Sequence, residues 1–141
     1  MFLVAQVYHI SGGSNDPVGG AARFVTLAKH YREAPEFESL PPLLTFFSGD
    51  AFNPSLESTV TKGRHMVPIL NKLKTDVACL GNHDLDFGVD QFMHLAKQCE
   101  FTWLCANVVD PAVGGPIGKL KGTCMFENNG IKIGVIGLVE R

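Results

Sequence analysis

The spacing of apolar positions switches between strand-like and helical several times along the chain. Phe2 to Tyr8 is a short apolar run rich in β-branched and aromatic residues, which predicts a strand. SerGlyGlySerAsnAspProValGlyGly (11–20) then reads as a loop. From Ala21 to Arg32 the apolar residues Ala22, Phe24, Val25, Leu27, Ala28 and Tyr31 recur at helical spacing. The run closes on LysHisTyrArg, whose positive charge suits a helix C-terminus. The alternation then repeats. ProProLeuLeuThrPhePheSer (41–48) predicts a buried strand, Gly49 to Ser58 a loop, and Gly63 to Lys74 a helix in which Pro68 sits at a kink or in the first turn. Asp76 to Leu80 predicts a third strand, residues 81–88 a loop and Val89 to Gln98 a second amphipathic helix.

PheThrTrpLeuCysAlaAsnValVal (101–109) predicts a further strand and ProAlaValGlyGlyProIleGly (111–118) a loop. Two strand-like runs around AsnAsnGly (128–130) predict a hairpin. Strands separated by helices need crossover connections, so the fold class expected is α/β, with a mostly parallel sheet, flanking helices and a C-terminal hairpin. Residues 1–141 read as one domain, and an apolar run ending directly at Arg141 predicts that this domain is incomplete.

With 45% hydrophobic and 18% charged residues, the 141-residue chain has the material for a core and is not expected to be disordered. A net charge of −2 gives no bias toward nucleic acid or an anionic membrane. Cys79, Cys99, Cys105 and Cys124 form no CxxC pair, and Cys79 and Cys105 sit in apolar runs, as buried core thiols would. The first ten residues lack the features of a signal peptide and no run is long enough for a membrane span, which predicts a cytoplasmic, reduced chain if Met1 is its start.

Ligands of open α/β sheets bind beyond the carboxyl ends of the parallel strands. Three predicted strands end there in polar residues: Gln6, Tyr8 and His9; Ser48, Gly49 and Asp50; and Gly81, Asn82, His83 and Asp84, with Asp86 two further on. Alone, GlyAsp after a strand is ordinary turn chemistry and GlyAsnHisAsp reads equally as a turn ending in a helix cap. Together they bring a carboxylate, an amide and an imidazole to one edge, a donor set suited to Mn²⁺, Mg²⁺, Fe or Zn²⁺. His30, His65 and His94 fall on predicted helices beside polar neighbours and read as solvated surface.

GlyAspAlaPheAsnProSer (49–55) and GlyAsnHisAspLeuAspPheGly (81–88) resemble two signature motifs of the calcineurin-like metallophosphoesterases, in particular their 5′-nucleotidase branch. ProValGlyGlyAlaAlaArgPhe (17–24), TrpLeuCysAlaAsnVal (103–108) and the final GlyLeuValGluArg (137–141) also resemble that branch. The resemblance implies the N-terminal part of a catalytic domain that hydrolyses phosphomonoesters, nucleoside monophosphates among them, with water activated between two divalent metals such as Mn, Zn, Mg, Fe or Co. It further implies that Asp50 bridges the metals and Asn82 ligates one of them. His83 would donate to the phosphate or leaving oxygen, with Asp86 holding its other ring nitrogen and Asp84 the second candidate for that role.

Two positions depart from the pattern. Gln6 and Tyr8 stand where the family has Asp and His, with His9 on the opposite strand face. The family's further His ligands follow the GlyLeuValGluArg region at which this sequence stops. Two ligands, one of them neutral, predict weak metal binding and a chain that is weak or inactive alone. A degenerate, non-catalytic binding module is the alternative, and unpartnered apolar surface near the last strand predicts self-association or pairing with the missing C-terminal part.

Overall fold

The computed structural model describes residues 19–112 and 114–140. The strand read at Phe2 to Tyr8, most of the loop after it, and Gln6, Tyr8 and His9 lie outside them. The chain divides after Leu43 into two compact units. In the first, helix α1 (Ala21–Glu33) starts after Gly20 and carries His30 and Arg32 in its last turn, close to the bounds expected. A 3₁₀ turn (Pro35–Phe37) follows, stacking Phe37 on Tyr31 with centroids 4.8 Å apart and placing Glu36 3.2 Å from His30.

Among the described residues, the second unit is built on a parallel sheet of three strands, the parallel arrangement the alternating pattern predicts. Strands β1 (Phe46–Phe47), β2 (Val77–Cys79) and β3 (Thr102–Leu104) lie in that order, with Phe46 opposite Val77 and Ala78 opposite Trp103. Helices α2 (Leu56–Thr61) and α3 (Met66–Lys72) connect β1 to β2, and α4 (Val89–Ala96) connects β2 to β3. The core is aromatic at its centre: Trp103 stands 5.2 Å from both Phe52 and Phe92. Leu70, Leu73, Leu80, Leu95, Leu104 and Cys105 are buried with them. Phe92 and Leu95 are three apart on α4 and so share its buried face.

Several boundaries differ from expectation. The strand over 41–48 shrinks to Phe46–Phe47, and Phe46 is 45% exposed rather than buried. The loop to Ser58 ends early because Ser55 caps α2: its Oγ accepts from the Ser58 N–H while Ser58 Oγ accepts from the Ser55 N–H. Left-handed Lys62 and Gly63 then end α2 and separate it from α3, so the helix expected over 63–74 forms with shorter bounds, Met66–Lys72, and Pro68 sits in its first turn. His65, expected on a helix surface, precedes α3, half-buried with Nδ1 2.6 Å from Thr61 Oγ1. Cys79 is half-buried rather than buried, its Sγ 3.4 Å from the Leu138 carbonyl.

Beyond β3, residues 109–118 are not a plain strand and loop. Strands β4 (Val109–Asp110) and β5 (Gly115–Pro116) pair antiparallel, and a 3₁₀ turn (Ile117–Lys119) follows. The expected hairpin forms from β6 (Thr123–Asn128) and β7 (Ile131–Ile136), joined by Asn129 and Gly130, both at positive φ, the backbone that matches strand twist. Met125, Ile131, Ile136 and Leu138 are each more than half exposed on this part of the chain.

Backbone and side-chain bonds tie the end of β7 to the end of β3. Ala106 N–H donates to the Gly137 carbonyl at 2.7 Å and Gly137 N–H to the Gly122 carbonyl at 3.1 Å. Asn107 bonds both polar groups of Val139, its Nδ2 donating to the carbonyl at 2.7 Å and its Oδ1 accepting from the N–H at 3.0 Å. A Cβ at Gly137 would stand 2.6 to 2.7 Å from Leu104 Cβ, C and O. Gly137→Ala is therefore expected to cost about 1–3 kcal/mol, read as a lowered midpoint in thermal unfolding followed by circular dichroism.

Candidate active site

The site is the place where the loops after β1 and β2 touch. After Phe47 the backbone turns through Gly49 (φ 107) and Asp50 (φ 55), two left-handed residues in succession. A Cβ at Gly49 would lie 2.9 Å from Gly81 Cα and N, and one at Gly81 only 2.2 Å from Asp50 N and Oδ1. Only two glycines allow so close an approach of the chains.

A buried carboxylate fastens the crossing. Asp84, 2% exposed, accepts the Gly81 N–H at 2.9 Å within its own turn. Reaching across, it accepts Phe52 N–H at 2.8 Å and Asp50 N–H at 3.1 Å. Burial pushes its carboxyl up to about 6, against the pull of those N–H donors, with the nearby Asp50 adding to the rise. Asp84 thus bonds loop backbone and does not reach the His83 ring. Adjacent residues of the 3₁₀ turn at 82–85 send their side chains in different directions, and the orienting position falls to Asp86.

His83 N–H donates to Asp50 Oδ1 at 2.9 Å, so the Asp50 carboxylate is held by the turn that follows β2. The His83 ring places Nδ1 2.8 Å from Asp86 Oδ2. That bond, and the field of Asp86, Asp50 and Asp84, hold His83 above the ordinary imidazole value. In return the His83 bond, and then Asn53, hold Asp86 below the usual carboxylate range. Asn53 donates its Nδ2 to the same Asp86 oxygen at 2.5 Å. The Asn53 carbonyl oxygen faces the hydroxyl of Ser58, which is fully buried. Neither Asn53 nor Ser58 stands out in the sequence. Asn53 follows Asp50 by three residues in a turn-rich loop, and Ser55-x-x-Ser58 is a capping pattern without the usual Glu.

Asp50 and Asn82 are both exposed. Among the described residues no group of three or more His, Cys, Asp and Glu side chains is placed to hold a metal ion. Asp50 and Asn82 are nevertheless hard oxygen donors on one sheet edge, with one Asp50 oxygen already oriented by the His83 N–H. Such donors have the chemistry of divalent-cation ligands. His94 is exposed on α4, away from the motif in sequence.

No family model matches the chain. The human 5′-nucleotidase is 34% identical over 92 residues, which are 64% of this chain and 15% of that protein. The chain therefore spans under a fifth of the length of this relative. Among solved structures, the 5′-nucleotidase precursor of Thermus thermophilus aligns over 87% of this chain and 23% of its own, with 28% identity and a TM-score of 0.72. The calcineurin-like phosphoesterase YfkN of Bacillus subtilis aligns over 85% of this chain and 40% of its own, with 25% identity and a TM-score of 0.63.

Proposed function

The chain belongs to the 5′-nucleotidase branch of the calcineurin-like metallophosphoesterases, and on that footing we propose that it contributes to metal-dependent hydrolysis of nucleoside monophosphates. The observation that carries the proposal is the His83 ring held at Nδ1 by Asp86, with its backbone N–H bonded to Asp50.

Asp50 and Asn82 are the residues of this chain that would hold metal, through side-chain oxygens. Two divalent ions, when bound, supply charge neutralisation for the transferring phosphoryl group and acidify water. The rest is done by this chain's side chains. With Asp86 accepting from Nδ1–H, His83 keeps Nε2 for the substrate, where it donates to the phosphate or delivers a proton to the leaving oxygen. Asp86 stabilises the imidazolium and fixes the ring plane. Anchoring His83 N–H on Asp50 sets the distance between the proton donor and the ligand edge.

The test is Mn²⁺ binding by calorimetry alongside release of phosphate from nucleoside monophosphates. Asp50→Asn is expected to weaken Mn²⁺ binding by at least about tenfold and to abolish Mn²⁺-dependent phosphate release. His83→Asn is expected to cut turnover by about 10²–10⁴-fold with Mn²⁺ binding unchanged. Phosphate release that persists unchanged in Asp50→Asn overturns the assignment. Where the wild-type chain binds Mn²⁺ but releases no phosphate, the assignment of Asp50 is judged on Mn²⁺ binding, and unchanged binding in Asp50→Asn overturns it.

A further inference from the structure

We infer that Asn53 is a positioning residue for His83, acting through Asp86 and itself fixed by the buried hydroxyl of Ser58. The inference rests on the reading of His83 and Asp86 as the working pair. An exposed His–Asp contact is weakly held by itself, because both partners exchange with water and keep rotamer freedom. The side chains here are 44% and 38% exposed, so the ring needs a second constraint to keep one plane. Asn53 provides it: its Nδ2 donates to Asp86 Oδ2, the oxygen that faces His83 Nδ1. Two donors on one oxygen leave the carboxylate a single orientation in which both bonds survive.

The amide cannot flip without penalty. Turning it would put the Asn53 carbonyl oxygen against the Asp86 carboxylate in place of the NH₂ donor. Ser58 is fixed from below, since its Oγ accepts the Ser55 N–H at 2.9 Å and its own N–H donates to Ser55 Oγ at 3.0 Å. The relay therefore runs from the first turn of α2 through Ser58, Asn53 and Asp86 to the imidazole. Along it the Ser58 hydroxyl faces two acceptors, the Asn53 oxygen and the Ser55 carbonyl at 2.7 Å, and the Asn53 NH₂ donates to Asp86.

The readout is the neutral tautomer of His83 in the ¹⁵N-labelled full chain, taken from long-range ¹H–¹⁵N spectra at alkaline pH. Wild type is expected to hold the Nδ1–H form that Asp86 selects. In Asn53→Ala the ratio of Nδ1–H to Nε2–H is expected to fall by roughly tenfold, the worth of one hydrogen bond to a charged group. Asn53→Asp keeps the shape of the side chain and an acceptor for Ser58 but sets a carboxylate against Asp86, and it is expected to show the same loss. A role in packing alone would leave the isosteric variant like wild type. If wild type is locked and both variants remain locked, the inference about Asn53 is overturned while the His83–Asp86 pair stands. A wild type without the Nδ1–H form overturns the pair, and the inference with it.

Discussion

Gly81→Ala is expected to lower the thermal midpoint of the chain by more than about 15 °C, corresponding to a loss above about 4 kcal/mol. The reason is the crossing of two loops. A methyl group there would sit 2.2 Å from Asp50 N and Oδ1, and although the carboxylate can rotate away, the backbone N cannot. Either the Asp50 loop lifts off, breaking its bonds to Asp84 and His83, or Gly81 moves and pulls β2 with it. Gly130→Ala is the control. That position also has positive φ (78°) but meets nothing within 4 Å, so its cost is limited to backbone strain of about 1 kcal/mol. A Gly81→Ala chain that unfolds within a few degrees of wild type would show that the loops are not in contact.

The second large effect belongs to Asp84. Asp84→Ala strands the backbone N–H groups of Asp50, Phe52 and Gly81 without their acceptor. The expected cost is about 3 kcal/mol or more, measured by urea unfolding with chelator present. Its pH dependence has a defined sign. Burial pushes the folded-state carboxyl up to about 6 from an ordinary value of 3.8, so the folded protein holds this proton more tightly than the unfolded chain. The associated stability is fully present below about pH 4 and is lost as the pH rises through about 6. The stability gap between wild type and the non-titrating Asp84→Asn should therefore be widest near pH 4 and narrow toward neutral pH. A gap that stays constant or widens as the pH rises would mean that Asp84 is not a desolvated carboxyl.

Much of the second unit is legible in the sequence because strand and helix periods differ. Parallel strands buried on both faces, such as β2, read as unbroken apolar runs, and AsnAsnGly announces the hairpin turn. The misread stretch, 55–74, fails for local reasons. Ser55 and Ser58 cap one another without a Glu and so start α2 inside the expected loop, and left-handed Lys62 and Gly63 delay the next helix to Met66. At the site, the motifs pick out Asp50, Asn82, His83 and Asp86 as neighbours in space. The resemblance already puts Asp86 ahead of Asp84 as the partner of the imidazole, but it says nothing of the backbone N–H groups that Asp84 takes instead. That division depends on the 3₁₀ turn at 82–85, which buries Asp84 and leaves Asp86 outside, a distinction of three-dimensional path rather than residue type.

The clasp of Asn107 on Val139 gives the hairpin an anchor at its open end, opposite the Asn129–Gly130 tip. Where residue 139 lies is thus decided by a side-chain amide imitating a neighbouring strand. Counting residues back from the turn does not decide it. An insertion or deletion at the tip is accordingly expected to leave the path of the chain after β7 in place.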